Sequence, residues 1–156
     1  MGKGGFAFKN INYLTDGHLE LVLEKKVLED KERFNLPAYY FYIRQKEVPE
    51  VIGKLELRIG HNEYSFYAGN IGYEIYPPYR GHHYAAKACV IAADIARAHG
   101  MDCLYISCLP DNLPSNKVCR KLGTRLLGTY PIPFHHEMFL LGISEMNIYE
   151  WKLSLP

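Results

Sequence analysis

Asn-Ile-Gly-Tyr-Glu-Ile-Tyr-Pro-Pro (residues 70–78), Tyr-Arg-Gly-His-His-Tyr-Ala-Ala (79–86) and Pro-Asp-Asn-Leu-Pro-Ser-Asn-Lys-Val-Cys-Arg-Lys-Leu-Gly (110–123) bound the stretch whose reading decides the fold. Taken physically, it is a strand, a tight basic turn, an alanine-rich helix, a strand and a capped helix. Alternating apolar positions at Ile71, Tyr73 and Ile75 make the strand, and Pro77-Pro78 stops it by removing ladder donors. The segment 81–99 places Ala85, Ala88, Cys89, Ala92, Ile95, Ala96 and His99 on one helical face, with Lys87, Asp94 and Arg97 opposite and Gly100 at the end. A face of small residues lets a helix approach a sheet closely. A strand that feeds a turn and then a helix N-terminus makes an anion site, because free backbone N–H groups and the positive helix end converge there. Arg80 adds a fixed charge with a fork suited to phosphate oxygens. The expected ligand therefore carries pyrophosphate.

Working outward, residues 103–108 form a short strand reached by a helical crossover, so a parallel pair with 71–76 is expected, splayed open where the prolines end the ladder. Asp111 or Asn112 caps the next helix, with Pro114 in its first turn. Upstream, Leu19, Leu21 and Leu23 alternate with polar neighbours, and 38–46 and 51–59 are apolar and β-branched or aromatic; these are strands. Residues 60–70 are expected to be a long hairpin connection, and 27–36 to hold a short helix. Downstream, 124–130 and 146–153 are strands around a short helix at 135–142. The fold class is mixed α/β: one domain over 1–156, an antiparallel meander, one crossover, then a second layer of helix and strands.

The bulk numbers exclude several classes. Eighteen basic and seventeen acidic residues nearly cancel, with no like-charge block, so a nucleic-acid or membrane-surface partner has no electrostatic support. Four cysteines, at 89, 103, 108 and 119, form no Cys-x-x-Cys pair and are expected to be reduced thiols in a cytoplasmic protein. Met1 to Phe6 have no apolar core for a signal peptide, and Phe6 breaks a myristoylation motif. The pairs His82-His83 and His135-His136 lack metal-ligand spacing, so no metal is expected.

The 70–123 stretch resembles the acyl-CoA-binding core of the GNAT superfamily of N-acyltransferases. That family's signature is Arg/Gln-x-x-Gly-x-Gly/Ala; Arg80 and Ala85 fit it, and His83 stands where the central glycine would be. A second signature, an Asn, a Ser three residues on and a helix ending Lys-Leu-Gly, is met by Asn112, Ser115 and Lys121-Leu122-Gly123. The pairing most resembles the branch that includes ribosomal-protein N-terminal acetyltransferases.

The resemblance implies acetyl-CoA as co-substrate, transfer of its acetyl group to a primary amine, and direct attack in a ternary complex. The acceptor would be a small molecule or a protein N-terminus or lysine, and a homodimer is common in such families. Arg80, Gly81, His82, His83, Tyr84 and Ala85 would hold the pyrophosphate, with His83 expected in ordinary helical geometry. Main-chain groups at Ile75 and Tyr76 would face the thioester, and Asn112, Ser115 and Asn116 the pantetheine arm. Glu74 is the candidate general base, on the assumption of a buried carboxylate with a raised pKa. The family's proton-donating Tyr, seven residues after the Asn, is here Cys119, leaving Cys119 itself or Tyr84, Tyr130 or Tyr149 as unranked donors. Two rivals remain: a non-catalytic acyl-CoA-binding module, which the short 27–36 segment and the missing Tyr would suit, and a nucleotide-binding α/β domain, which lacks a Gly-x-Gly-x-x-Gly fingerprint and a phosphate-loop lysine.

Overall fold

A computed structural model describes residues 6–154; Met1 to Gly5, on which the leader and myristoylation readings chiefly rest, lie outside the described residues. The strands β1 (Tyr13–Thr15), β2 (Leu19–Val27), β3 (Ala38–Gln45), β4 (Val51–Arg58) and β5 (Ile71–Ile75) make one antiparallel sheet in sequence order. The strands β6 (Cys103–Cys108), β7 (Arg125–Pro131) and β8 (Glu145–Lys152) make a second, in the order β6-β8-β7. Mixed α/β architecture is what the patterning predicts. Alternation fixes which sheet face is buried: Tyr39, Phe41 and Ile43 on β3 are fully buried, while Tyr40 and Tyr42 between them lie on the other face.

The helix α2 (Tyr84–Ala98) packs against β2, β4 and β5 through the alanine-rich face. Nine of its residues are buried, Ala88, Cys89, Ala92, Ala93 and Ala96 completely, whereas Lys87 and Asp94 are exposed. It starts three residues later than the sequence suggests, because Gly81 and His83 hold left-handed backbone at φ 93° and 62°. Gly100, at φ 81°, ends it. A 3-10 turn, Lys31–Arg33, is the helical content described for the 27–36 segment.

Two expectations are corrected. The 60–70 connection holds a helix, α1 (Glu63–Ala68), because Asn62 and Ser65 exchange hydrogen bonds as a reciprocal cap: Ser65 N–H donates to Asn62 Oδ1 at 2.7 Å and Asn62 N–H to Ser65 Oγ at 3.0 Å. The pairing of 71–76 with 103–108 is not a ladder; β5 and β6 are edges of separate sheets. Asn70 explains where they part. Its backbone N–H donates to Tyr105 O at 2.7 Å, and its side-chain Oδ1 accepts from Tyr105 N–H at 2.9 Å. One residue thus occupies both edge groups of Tyr105, and no further bond zips the strands together. Gly69 sits here with φ 89°, where an added Cβ would lie 3.2 Å from Ser107 N. The prolines end β5, in a 3-10 turn at Pro77–Tyr79, but the separation begins before them.

Candidate active site

A cleft of about 940 Å³ opens beside the free edge of β5. Its walls are the end of β5 (Tyr73, Glu74, Ile75), the turn 79–83, the start of α2 (Tyr84, Ala85, Ala86) and one face of α3 (Leu113–Lys121).

The phase of the β4–β5 ladder decides what β5 offers to this cleft. Arg58 N–H donates to Asn70 O at 2.7 Å, and Tyr76 N–H to Ile52 O at 2.9 Å. In an antiparallel ladder the bonding residues alternate, so even-numbered residues of β5 face β4. Odd-numbered Tyr73 and Ile75 turn their backbone groups to the open edge. Ile75 O accepts from Arg80 Nε at 2.8 Å, which folds the guanidinium against the strand end and leaves its terminal N–H groups to the cleft. Of the two main-chain positions named from the sequence, Ile75 therefore keeps an N–H toward the cleft, while that of Tyr76 is committed to β4.

The turn and the α2 N-terminus are the place the sequence marks for an anion. Lys87 N–H is the first of the helix to bond within it, to His83 O at 3.2 Å, and His83 supplies no side-chain cap. The N–H groups of Tyr84, Ala85 and Ala86 are thus free of intrahelical partners and sit on the cleft wall. His83 lines the cleft, but in left-handed geometry rather than the ordinary helical geometry expected of it. A side chain there costs about 1–2 kcal/mol that a glycine would not. His82 is exposed, its ring 5.3 Å from that of Tyr84, and does not line the cleft.

On α3, Asn112 caps the helix by accepting from Ser115 N–H at 3.3 Å, and both residues line the cleft. Asn116 does not. It is buried, donating to Leu109 O and Asn112 O and accepting from Asn147 Nδ2 at 3.0 Å and Tyr149 O–H at 2.6 Å. It pins α3 to β8. Cys119 also lies beneath the wall, fully buried, with its sulfur 3.6 Å from that of Cys108. Its neighbour Cys108 and its burial both push that thiol up, away from ionisation. Two residues to which the sequence reading gave no binding role, Lys121 being named only as part of a motif, are Lys117 and Lys121, exposed on the cleft wall. Their signal was present: Pro114, Lys117, Val118 and Lys121 recur at helical spacing and all line the cleft.

A second groove, of about 330 Å³, lies on the solvent face of the five-stranded sheet. Glu24, Tyr40, Lys54, Glu56, Gly72, Tyr73 and Glu74 are among its lining residues. Tyr73 and Glu74 line both cavities. Glu74 is exposed, so the burial assumed in the sequence reading is not met. Among the described residues no three His, Cys, Asp or Glu side chains gather as a metal site requires, and no helix is long and apolar enough to cross a membrane.

Comparison with known proteins identifies the family and the fold. The family model described as an acetyltransferase (GNAT) domain matches residues 13–125. No curated protein matches the sequence. Among solved structures, the microcin C7 self-immunity acetyltransferase MccE in complex with acetyl-CoA and AMP has a TM-score of 0.56 at 21% identity, over 79% of this chain and 63% of its own. An acetyltransferase from Salmonella typhimurium that modifies the N-terminal serine of ribosomal protein L7/L12 scores 0.57 at 21% identity, over 75% and 64%. A protein from Vibrio cholerae provisionally assigned as a ribosomal-protein-serine acetyltransferase scores 0.66 at 15% identity, over 94% and 100%. At these identities the likeness is one of fold, and the chain spans less than two thirds of the first two proteins.

Proposed function

The chain is a member of the GNAT acetyltransferase family, and from that membership we propose that it moves an acetyl group from acetyl-CoA to a primary amine by direct attack in a ternary complex. The observation that carries this reading is that two cavities share Tyr73 and Glu74 in their walls: a cleft with Arg80, Lys117 and Lys121 on one side and a groove with both carboxylates and lysines on the other. The pyrophosphate of the donor would sit on the free N–H groups at the start of α2, with Arg80, Lys117 and Lys121 around it. The pantetheine arm would take the open edge of β5, and Ile75 N–H, which the ladder phase turns to that edge, would hold the thioester oxygen as charge develops on it.

Glu74 is, among the described residues, the one carboxylate that lines both cavities, and it is our candidate to take the proton of the acceptor amine. Glu24 and Glu56 line the same groove beside Lys25 and Lys54, and Arg58 pairs with Glu56 at 3.1 Å, so Glu24 and Glu74 are its carboxylates without a salt-bridge partner among the described residues. Of the acceptors named from the sequence we choose a protein N-terminus: the 27–36 segment holds a single 3-10 turn, and so short an element would do little to cover an acceptor site. The fold likeness to enzymes acting on ribosomal proteins supports the same choice. Four cysteines without a disulfide fit a reducing cytoplasmic setting.

Calorimetric titration with acetyl-CoA, CoA and ATP tests the reading, followed by acceptor-dependent thiol release. Micromolar binding of acetyl-CoA without ATP binding, then thiol release with peptide amines, is the expected result; no binding of any CoA species overturns it. A non-catalytic acyl-CoA-binding module is the second reading, favoured by the buried cysteine at position 119. CoA binding without thiol release from any amine would select it.

A further inference from the structure

Three tyrosines line the cleft: Tyr73, Tyr79 and Tyr84. Tyr84 accepts a hydrogen bond from Gln45 Nε2 at 3.0 Å, at the turn end. Of the other tyrosines named from the sequence, Tyr149 donates to Asn116 at 2.6 Å, and Tyr130 packs edge-on against Phe66, 5.3 Å between centroids, in a separate apolar cluster. Neither lines the cleft. Tyr73 differs from all of these. Its hydroxyl is buried and makes no hydrogen bond of ordinary length among the described residues, with the Ser115 side chain close by. A buried unpartnered hydroxyl is costly, and folded proteins carry few of them. Tyr73 lines the cleft, and its hydroxyl lies on the core side of β5, near Ser115 of the cleft wall and the buried Cys89, Cys119 and Cys108.

The side-chain arithmetic of the site gives the hydroxyl a task. Position 119, from which the resembling family extends a phenol toward the leaving sulfur, carries a short thiol turned to Cys108. The β5 strand brings another phenol to the same neighbourhood from the opposite wall. Resting on the function proposed above, we propose that Tyr73 donates its hydroxyl hydrogen bond to the coenzyme A sulfur as the thioester breaks. As the amine nitrogen attacks the carbonyl carbon, the N–C bond forms and the C–S bond breaks with its electron pair on sulfur. The nitrogen sheds its proton toward Glu74 and solvent, and a solvent proton completes the free thiol. Tyr73 shares its proton with the developing thiolate and keeps it, because burial holds the phenol well above its ordinary value. It acts as a neutral donor, as an oxyanion-hole group does for oxygen.

Tyr73→Phe removes the hydroxyl and leaves the ring in place. The expected result is a fall in kcat of about 10–100-fold, with KM for acetyl-CoA and acceptor held within about twofold and a melting temperature that does not drop, since the lost group made no hydrogen bond of ordinary length. Binding supplies an independent readout. The wild-type protein should prefer CoA over desulfo-CoA by several-fold, and Tyr73→Phe should bind the two equally. Unchanged kcat and an unchanged preference for CoA overturn the role of Tyr73 while leaving the function intact. A loss of kcat with a lowered melting temperature and equally weakened binding of both CoA species also overturns it, as a packing role. Wild-type protein that binds no CoA species removes the proposed function itself, and this role with it.

Discussion

At the scale of single residues, chemistry is assigned by which cavity a side chain reaches. Glu74 reaches two. Glu74→Gln keeps shape and hydrogen-bonding capacity but cannot accept the proton of the amine. Its kcat should fall by about two to four orders of magnitude, with calorimetric CoA affinity unchanged; a variant as active as wild type would remove Glu74 from the reaction. His99 makes a different prediction, on stability. Its ring is 2.7 Å from Tyr39 O–H and stacks on Phe6, and burial, with Lys9 adding to it, lowers its pKa. Below the ordinary histidine value of about 6.5 the unfolded chain binds a proton that the folded chain does not. The folded state therefore loses stability as pH falls from there toward the depressed value, and gains nothing from His99 above it. Melting temperatures between about pH 5 and pH 8 should show this slope in the wild type and a shallower one in His99→Gln.

At the scale of elements, α3 is the clearest case of a helix with two jobs on two faces. Asn116 and Cys119 bury one face, and Asn116 ties the helix to β8 through Asn147 and Tyr149. Pro114, Lys117, Val118 and Lys121 give the opposite face to the cleft. Both lysines are exposed, so each contributes modestly and through screened electrostatics. Replacing both Lys117 and Lys121 by Ala should weaken CoA binding by roughly tenfold at low salt, with most of the difference gone near 0.5 M salt, where the Debye length is only about 4–5 Å. A salt-independent loss would mean damage to the helix. The helix α1 shows the reverse relation to sequence. Its reciprocal cap, Asn62 with Ser65, was there to be read, but the aromatic residues Tyr64, Phe66 and Tyr67 carry no clean helical period over six residues.

For the whole molecule, the decisive residue is Asn70. It is fully buried and joins both sheets: its side chain donates to Arg58 O at 3.2 Å and Gly60 O at 2.7 Å and accepts from Tyr105 N–H at 2.9 Å. Asn70→Ala would leave these three backbone groups unpaired in the interior. A loss of about 3 kcal/mol is expected, from partly compensated penalties of about 1–3 kcal/mol per group. For a domain of this size that corresponds to a drop in melting temperature of about 6–12 °C. Hydrogen exchange should accelerate first at Tyr105 N–H, where the sheets meet. An unchanged melting temperature would show that the two sheets do not depend on this pin.

Strand alternation, proline and glycine punctuation, the alanine face of α2 and the Asn112 cap are local properties, set by dihedral preference and period. The sequence by itself therefore determined the order of the elements other than α1, the mixed α/β class and the place of the basic turn before α2. Only the tertiary structure decided that β5 and β6 stay unladdered, that Ile75 rather than Tyr76 turns its N–H to the cleft, and that Asn116 and Cys119 are buried while Lys117 and Lys121 are exposed. It also decided that His83 is left-handed and that the Tyr73 hydroxyl is buried without a hydrogen bond of ordinary length among the described residues. The physical reason is common to these cases. Hydrogen-bond phase across a ladder, and burial at a junction of sheets, depend on residues far apart in the chain, and no local period encodes which of two neighbouring groups will find its partner first.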